Sequence, residues 1–577
     1  MPGLENAGIA RALGEIGDLL EIRGDNPFKI RAYRNAADMV AQSGERVADL
    51  DEAALREWPG IGKDLATRIR ELAQTGTCAI RDQLLQEFPP TLLDVLRLQG
   101  VGPKTVALLY KDLRIASLDD LEAAARAGRL RGLKGMGPKK EQLLLKALDE
   151  QRKRVGRHLL ADTSQLADSL VRWLRERAPE VDFEPVGSLR RGVDTCGDLD
   201  ILAVGGDPSL MATFTGHPDV ERILGQGETK SSVLIRGGFQ VDLRLVAPAS
   251  RGAALQYFTG SKAHNIVLRD RALARGLRLN EYGLFRADDE TQVAGDDEAG
   301  IYAALGLALV PPELRENRGE VEAAETGTLP ALLEERHLRG DVHMHTTETD
   351  GRDSLEAMVA AARALGHEYI AITDHSQALA MANGLDETRA LAHARRIREL
   401  DARTEGITVL AGIECDILPD GRMDLADDCL AELDLVIASV HSAMQQDEAE
   451  MTDRMFRAIE NPWVDILGHP TNRLLLRREA SKAHMGQVID HAAHHGVAME
   501  INCQVDRLDL NDAHARLARE RGVKLLVSTD AHATAALALR RWGVVVARRA
   551  WAGPADVLNT LPLARFRKAL RRHRKSV

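Results

Sequence analysis

Two aspartates lie two residues apart in Gly197-Asp198-Leu199-Asp200-Ile201-Leu202, and residues i and i+2 of a strand point to one face. Side-by-side carboxylates repel unless cations lie between them, which is what two-metal phosphoryl transfer requires. A third acid should come from a neighbouring strand. Asp242, isolated in the apolar run Phe239-Gln240-Val241-Asp242-Leu243-Arg244, is the candidate. Upstream stands Gly187-Ser188-Leu189-Arg190-Arg191. Ser188 and Arg191, with backbone N–H groups near Gly197, could hold a polyphosphate while the ions polarise it. The structural alternative for these acids is a solvated strand edge.

A second set of reactive residues crowds the C-terminal part, where 15 of the 18 histidines fall within residues 337–577. They occur in Asp341-Val342-His343-Met344-His345, with Asp350 in the loop beyond, and in Thr373-Asp374-His375 and Gly412-Ile413-Glu414. Ser439-Val440-His441, Gly468-His469-Pro470 and Ser528-Thr529-Asp530-Ala531-His532 complete the set. These ligand types close apolar runs of strand character, and only the sixth of the seven runs does not end in one. A lone histidine is usually structural; nine such side chains at strand ends point to metal. Imidazole and carboxylate suit zinc, manganese or iron, and several ions close together can activate water and clamp a phosphate.

The elements that must position these residues are legible in outline. The seven C-terminal runs, at 340–345, 369–373, 407–413, 433–440, 464–468, 497–501 and 523–529, alternate with helical stretches. That predicts a parallel sheet or barrel gathering its ligands at the C-terminal strand ends. The acids sit in a smaller predicted sheet, with runs at 199–204, 233–235 and 239–246. From residue 1 to about 157 the apolar spacing is helical, as in Ile16, Leu19, Leu20 and in Val106, Leu109, Tyr110. One phrase recurs there three times between helices: Pro59-Gly60-Ile61-Gly62-Lys63, Gly100-Val101-Gly102-Pro103-Lys104 and Gly135-Met136-Gly137-Pro138-Lys139. Glycines let the backbone turn tightly and bring N–H groups close to an anion, and the lysine adds charge. A plain helix–helix turn is the alternative for any single copy. No copy fits a nucleotide P-loop.

Composition bounds the reading. The chain has 577 residues, 44% hydrophobic and 28% charged, which excludes a mostly disordered or collagen-like chain and implies several domains. No apolar stretch is long enough to cross a bilayer, and Glu5 stands where a secretory signal would be basic; a cytoplasmic protein with no membrane partner is expected. The five cysteines form no C-x-x-C pair. A net charge of −11 argues against nucleic acid until it is divided, because residues 101–160 hold 14 basic against 7 acidic side chains. Local charge governs contact with phosphates.

The glycine phrases resemble helix-hairpin-helix motifs, which grip the DNA backbone without reading sequence. The acid triad and its glycine-serine opening resemble the nucleotidyltransferase superfamily, specifically the family X DNA polymerases. Tyr257-Phe258-Thr259-Gly260-Ser261, Asn265 and Arg269 extend the resemblance. It implies that the Tyr257–Phe258 pair lies against the incoming sugar, Asn265 meets the base and Arg269 touches the template. It also implies that Asp198 and Asp200 bind both metals while Asp242 binds the catalytic one and helps activate the primer 3′-hydroxyl. Asn26-Pro27-Phe28-Lys29-Ile30-Arg31-Ala32-Tyr33-Arg34 resembles the family's 5′-phosphate-binding helix, with Lys29 and Tyr33 holding the downstream end of a gap. Two positions depart from the family. Arg68 stands where lyase members carry the Schiff-base lysine, and a guanidinium cannot supply that amine, so little or no deoxyribose-phosphate lyase activity is expected. Gln240 replaces an arginine of vertebrate relatives.

The histidine-rich part resembles the polymerase and histidinol phosphatase (PHP) domain, a distorted seven-stranded barrel with three metals. The resemblance assigns His343, His345, Glu414 and Asp530 to one ion. Glu414 bridges to a second ion held with His441 and His469, and Asp350, His375 and His532 hold the third.

The expected fold is therefore multidomain α and α/β. A helical lyase-like DNA-binding domain is expected at 1–80 and a helical hairpin domain at 81–157. A nucleotidyltransferase palm follows at 158–246 and a nucleotide-selecting thumb at 247–318, then a linker with a short helix at 319–337 and a (β/α)7 PHP barrel at 338–577. The expected protein is a monomeric base-excision-repair polymerase that fills short gaps in gapped or nicked DNA with dNTPs, using Mg2+ or Mn2+ in the palm. Three Mn2+ or Zn2+ ions in the barrel would support a 3′–5′ exonuclease. The resemblance extends to cleavage at abasic sites and removal of 3′-phosphates. Two other readings stand beside it: a template-independent nucleotidyltransferase fused to a small-molecule phosphatase, and an end-binding scaffold.

Overall fold

The computed structural model describes residues 6–42, 47–58, 60–96, 98, 101–133, 136–138, 140–145, 148 and 156–571. The chain divides into two compact units, Met1–Val155 and Gly156–Val577.

The first unit is helical. Its helices include α1 (Asn6–Arg23), α2 (Pro27–Gln42), α3 (Lys63–Thr75) and α4 (Pro103–Leu113). Proline at the first position of α2 and α4 costs no hydrogen bond, since that N–H has no helical acceptor. Gly60, at φ +79°, turns the chain into α3, and Gly76, at φ +78°, ends it. Leu13, Ile16, Leu65, Ile69, Val106 and Leu109 share one buried core, as helical spacing places them on facing stripes.

The second unit opens with α5 (Leu160–Arg175), which packs on a five-stranded sheet. Its strands are β1 (Asp182–Pro185), β2 (Leu199–Val204), β3 (Val220–Gln226), β4 (Lys230–Ile235) and β5 (Phe239–Val246), in the order β1-β2-β5-β4-β3. The one parallel pairing, β2 with β5, sets Asp200 directly opposite Asp242. Next come α6 (Arg251–Thr259) and α7 (Lys262–Leu273). They are followed by an antiparallel sheet of β6 (Leu277–Asn280), β7 (Gly283–Arg286) and β8 (Gln292–Ala294).

Residues 319–337, read from sequence as a linker with a short helix, carry a helix at Glu320–Thr326. Glu320 is fully buried and accepts from His264 Nδ1 at 2.6 Å and from the Asn317 and Arg318 N–H groups. Val321, Ala323 and Ala324 join the thumb core. This stretch is a packed wall of the unit.

Seven strands follow in sequential parallel order: β9 (Gly340–Asp341), β10 (Tyr369–Ile372), β11 (Thr408–Asp416), β12 (Leu435–Ser439), β13 (Ile466–Leu467), β14 (Ala498–Asn502) and β15 (Leu525–Ser528). The first and last strands meet through a bridge between Met344 and Ala531, with the His345 N–H donating to the Ala531 carbonyl at 2.9 Å. At the other end Asn559 Nδ2 donates to the Gly340 and Val527 carbonyls at 2.8 and 2.6 Å. The sheet therefore curls into a nearly closed barrel, its lumen filled by Val342, Tyr369, Leu410, Ile437, Ile466 and Leu526. After β15 the chain runs into α8 (Arg540–Arg549). Among the described residues no helix is long and apolar enough to cross a membrane.

Candidate active sites

In the palm sheet, register does what the sequence spacing required. Asp200 and Asp242 are neighbours on β2 and β5, and Asp198 lies one residue before β2, exposed at its entrance. Burial raises the Asp200 carboxyl to about 6, and the charges of Asp198 and Asp242 push the same way. Burial acts on Asp242 too, but hydrogen bonds from Lys230 and Gln240 outweigh it and bring this carboxyl below its ordinary value. Lys230 Nζ stands 2.6 Å from Asp242 Oδ2, and Gln240 Nε2 donates to Oδ1 at 3.1 Å. The cluster is short of positive charge at Asp200, where a divalent ion would relieve the repulsion.

The phosphate loop closes on this cluster. Gly187 has φ +66°, and a Cβ there would come within 2.8 Å of Asp200 Oδ2, so glycine is required. Ser188 is half-buried in the helical turn that follows. Gly197 is exposed beside Asp198. Arg190, which carried no role in the sequence reading, makes a bidentate pair with Glu298 at 2.9 and 2.7 Å and donates to Thr259 Oγ1. Arg191 donates from Nε to Glu316 at 2.9 Å and from Nη1 to the Thr259 carbonyl at 2.8 Å. Both arginines thereby clamp the loop to the end of α6.

That end carries Tyr257 and Phe258, half-buried and edge-to-face with ring centres 5.1 Å apart. Asn265, on α7, donates to the Tyr257 carbonyl at 2.7 Å and accepts from Gln256 at 2.8 Å. Gly260 has no room for a side chain, since its Cβ would lie 2.4 Å from Asn265 Oδ1. Arg269 is exposed one turn further along α7.

At the barrel mouth the nine side chains named from sequence converge. Glu414 is central: its Oε2 lies 3.4 Å from His343 Nε2, 3.6 Å from His345 Nε2 and 2.8 Å from His375 Nδ1. Its Oε1 lies 3.3 Å from His441 and 2.8 Å from His469. Asp530 is 3.0 Å from His345, and Asp350 is 3.5 and 3.4 Å from His375 and His532. Three ligand groups form: His343, His345 and Asp530; His375, Glu414 and His441; and Asp350, His375, His532 and His345. His375 and His345 thus each stand at a junction of two groups, where the resemblance gives each to a single ion. Glu414 is also not at a strand end but within β11, which runs two residues beyond it.

This donor set fits divalent ions. His343 Nε2, His345 Nδ1 and Glu414 Oε2 are buried without a hydrogen-bond partner, a costly state for a polar atom unless a cation takes it. Burial opposes charge on Glu414 and Asp530, yet the neighbouring histidines hold both well below the ordinary carboxylate range. Reciprocally, burial alone would lower His375 and His441, but Glu414 raises them to about 10 and about 9. Protons on His375 and His441 offset part of this negative charge, and metal binding would release them.

The sixth strand, expected not to end in a ligand, supplies a fully buried acid. Glu500 on β14 accepts from His343 Nδ1 at 2.7 Å and from the His469 N–H at 2.7 Å. Asp416 does the same for His441 Nδ1 at 3.0 Å, and Asn502 Nδ2 donates to Asp530 at 3.0 Å. These partners fix which ring nitrogen faces the centre. The signal was present in Val497-Ala498-Met499-Glu500-Ile501, an isolated acid in an apolar run like Asp242, but it stands inside the run and not at its end, where the ligands were sought. A fourth group, Glu460, His491 and His495, lies elsewhere on helix surfaces, with an exposed Glu460 and the Arg571 guanidinium 3.5 Å from His495 Nδ1. That nearby cation opposes a metal there.

In the first unit Lys29 and Lys104 are exposed, and a groove of about 580 Å3 is lined by Pro27, Arg31, Arg34 and Lys104. Gly60, Gly62, Gly102 and Gly137 have open space where a Cβ would stand, so packing does not demand glycine there. Gly100 and Gly135 lie outside the described residues. Tyr33 is 2% exposed and belongs to the core, so it does not present its ring to a DNA end. Arg68 is engaged by Glu71 at 3.0 Å and Asp64 at 3.4 Å.

Fold and sites together define a polymerase-type nucleotidyltransferase joined to a PHP metallohydrolase barrel. Four families match by profile: a helix-hairpin-helix domain over residues 4–78, a SAM-like helix-hairpin-helix tandem over 92–150, the DNA polymerase beta thumb over 254–316 and the PHP domain over 341–504. The last match stops short of Asp530 and His532, which the barrel brings into the site. The chain is 37% identical over 568 residues to the DNA polymerase/3′-5′ exonuclease PolX of Bacillus subtilis (strain 168), covering 98% of this chain and 99% of that protein. It belongs to the bacterial family X DNA polymerases with a C-terminal PHP domain. The barrel region is also similar to probable phosphatases of Shewanella sp. (strain ANA-3), at 32% over 202 residues, and Thermoanaerobacter sp. (strain X514), at 30% over 203 residues. Each of these matches covers 33% of this chain, and 75% and 78% of those proteins.

Proposed function

We propose that this chain fills short gaps in DNA by templated nucleotidyl transfer in the palm and trims 3′ ends in the PHP barrel. The observation that carries the reading is that one chain holds two separate clusters suited to divalent ions, the carboxylates Asp198, Asp200 and Asp242 in the palm and the histidines and carboxylates at the barrel mouth. In the palm, Asp198 and Asp200 would hold two Mg2+ or Mn2+ ions and Asp242 the catalytic one, beside the primer 3′-hydroxyl. Ser188 and Arg191 hold the triphosphate, the Tyr257–Phe258 edge receives the sugar, and Asn265 and Arg269 meet base and template. The hydroxyl attacks the α-phosphate in line, and pyrophosphate leaves.

In the barrel, His343, His345, Glu414 and Asp530 would hold one ion, Glu414, His441 and His469 a second, and Asp350, His375 and His532 a third, as Mn2+ or Zn2+. Divalent ions held by these residues would supply an acidified water and charge to offset the phosphate. Glu500, Asp416 and Asn502 keep the ligands aimed. The glycine hairpins and Lys29 and Lys104 grip gapped or nicked DNA through its backbone, the chain acting as a monomer in the cytoplasm. Likeness of the barrel to probable phosphatases supports removal of 3′-phosphates as a further activity, with cleavage at abasic sites beside it. Arg68, an ion-paired guanidinium, leaves the lyase reaction without its amine.

Extension and degradation of a 3′-labelled gapped duplex would be followed with wild type, Asp198→Ala and His343→Ala. Asp198→Ala should abolish extension and keep manganese-dependent degradation; His343→Ala should do the reverse. Extension surviving Asp198→Ala would remove the palm assignment, and degradation surviving His343→Ala the barrel assignment.

A further inference from the structure

Helix α8 of the barrel presses on the turn that follows the palm's phosphate loop. At Gly192, with φ +67°, a Cβ would stand 2.2 Å from Val545 Cγ1, so the Val545 side chain packs directly on the glycine backbone. One helical turn beyond Val545, Arg549 is 6% exposed. Its Nη1 donates to the Arg191 carbonyl at 2.8 Å and to Glu316 Oε1 at 3.1 Å. That same Glu316 oxygen accepts from Arg191 Nε at 2.9 Å. Arg549 Nη2 is anchored on Asp512 at 2.9 Å, and Asp512 also takes Arg318. Arg549 therefore grips Arg191 twice, at its main chain and, through a shared carboxylate oxygen, at its side chain.

The arrangement constrains what Arg191 can offer a ligand. Nε is held by Glu316 and Nη1 by the Thr259 carbonyl, which leaves Nη2 as the edge without a protein partner among the described residues. Two guanidinium groups divide one carboxylate. Removing Arg549 takes one donor from Glu316 and frees the loop carbonyl, so the carboxylate, and the Arg191 Nε that it holds, lose their fixed place. We propose that Arg549, a residue of the nuclease barrel, is a positioning residue of the polymerase site, setting where Arg191 presents its guanidinium to the phosphates of the incoming nucleotide. This rests on the reading of Arg191 as a phosphate ligand.

The test is steady-state gap filling by the full chain carrying Arg549→Met, Arg549→Lys, Glu316→Gln or Arg191→Met, with barrel nuclease rate and thermal midpoint measured on each. Arg549→Met should raise KM for the nucleotide about tenfold, the worth of one charge-assisted hydrogen bond. Its kcat should stay within about twofold of wild type, and its nuclease rate should be unchanged. Arg549→Lys should recover part of the loss, and Glu316→Gln should raise KM without removing a buried cation. If Arg191→Met raises KM while Arg549→Met and Glu316→Gln do not, the positioning role is refuted and the phosphate reading stands. If Arg191→Met leaves KM unchanged, the phosphate reading fails and the positioning role falls with it. Loss of extension, nuclease and thermal stability together in Arg549→Met, with KM unchanged in Glu316→Gln, would make Arg549 a structural residue only.

Discussion

Asp200 is the residue on which the palm's electrostatics turn. Its ionised form is disfavoured by burial and by two flanking carboxylates, so its carboxyl sits at about 6 against an ordinary 3.8. The native state therefore holds this proton more tightly than the unfolded chain does. Below about pH 4 both states are protonated and the group is neutral in its effect; above about pH 6 both are ionised and the native state bears the cost. Asp200→Asn should thus stabilise the metal-free protein at pH 7.5 by at most about 2–3 kcal/mol. The gain should shrink as pH falls from 6 towards 4, while extension is abolished at every pH. Urea midpoints in chelator at pH 7.5 and pH 4.5 read it; an equal or lower midpoint at pH 7.5 would show that the cluster carries no such repulsion. Sequence made this pair legible because a two-residue spacing has one meaning on a strand. It could not show Lys230 against Asp242, nor Arg190 against Glu298, 108 residues apart, because those contacts arise only once the sheet and thumb are folded.

At the scale of elements, the barrel strands were legible from apolar runs ending in imidazole or carboxylate, and their lengths were not. β9 and β13 are only two residues long, while β11 extends to Asp416, because strand length follows pairing with neighbours and the run's own composition says little of it. The sixth strand, β14, shows the consequence most clearly. Its Glu500 is fully buried, bonded to one ligand's ring and to another's backbone. Glu500→Gln keeps the shape but replaces an anionic acceptor by a neutral amide, weakening the basicity it lends His343. Affinity of the barrel for Mn2+ should drop by about 10–100-fold, the range for such outer partners, with gap filling at saturating Mg2+ unchanged. Calorimetric titration of Mn2+ into the Asp198→Ala background separates the two sites; wild-type affinity in Glu500→Gln would leave Glu500 a packing residue.

Across the second unit, palm, thumb and barrel share their interiors. Leu160 and Cys196 of the palm lie in the barrel's main cluster, Trp551 beyond α8 lies in the thumb's, and Arg473 reaches Asp194 at 2.9 Å. Leu332 and Leu333 of the segment between thumb and barrel are divided between those two clusters. Such sharing was illegible in sequence, where the palm and barrel motifs stand more than 90 residues apart and residues 319–337 read as a linker with a short helix. Elements packed in this way should open together, so a ligand that binds only the folded barrel should protect the palm as well. By mass action an ion at 100 times its dissociation constant adds about 2.7 kcal/mol. Mn2+ added to a chain bearing Asp198→Ala and Asp200→Asn, whose palm can no longer collect ions, should slow hydrogen exchange in β5 and α5 as well as in β11 and β14. Exchange slowed in the barrel strands alone would mean that the palm opens independently and that the shared clusters do not couple the two.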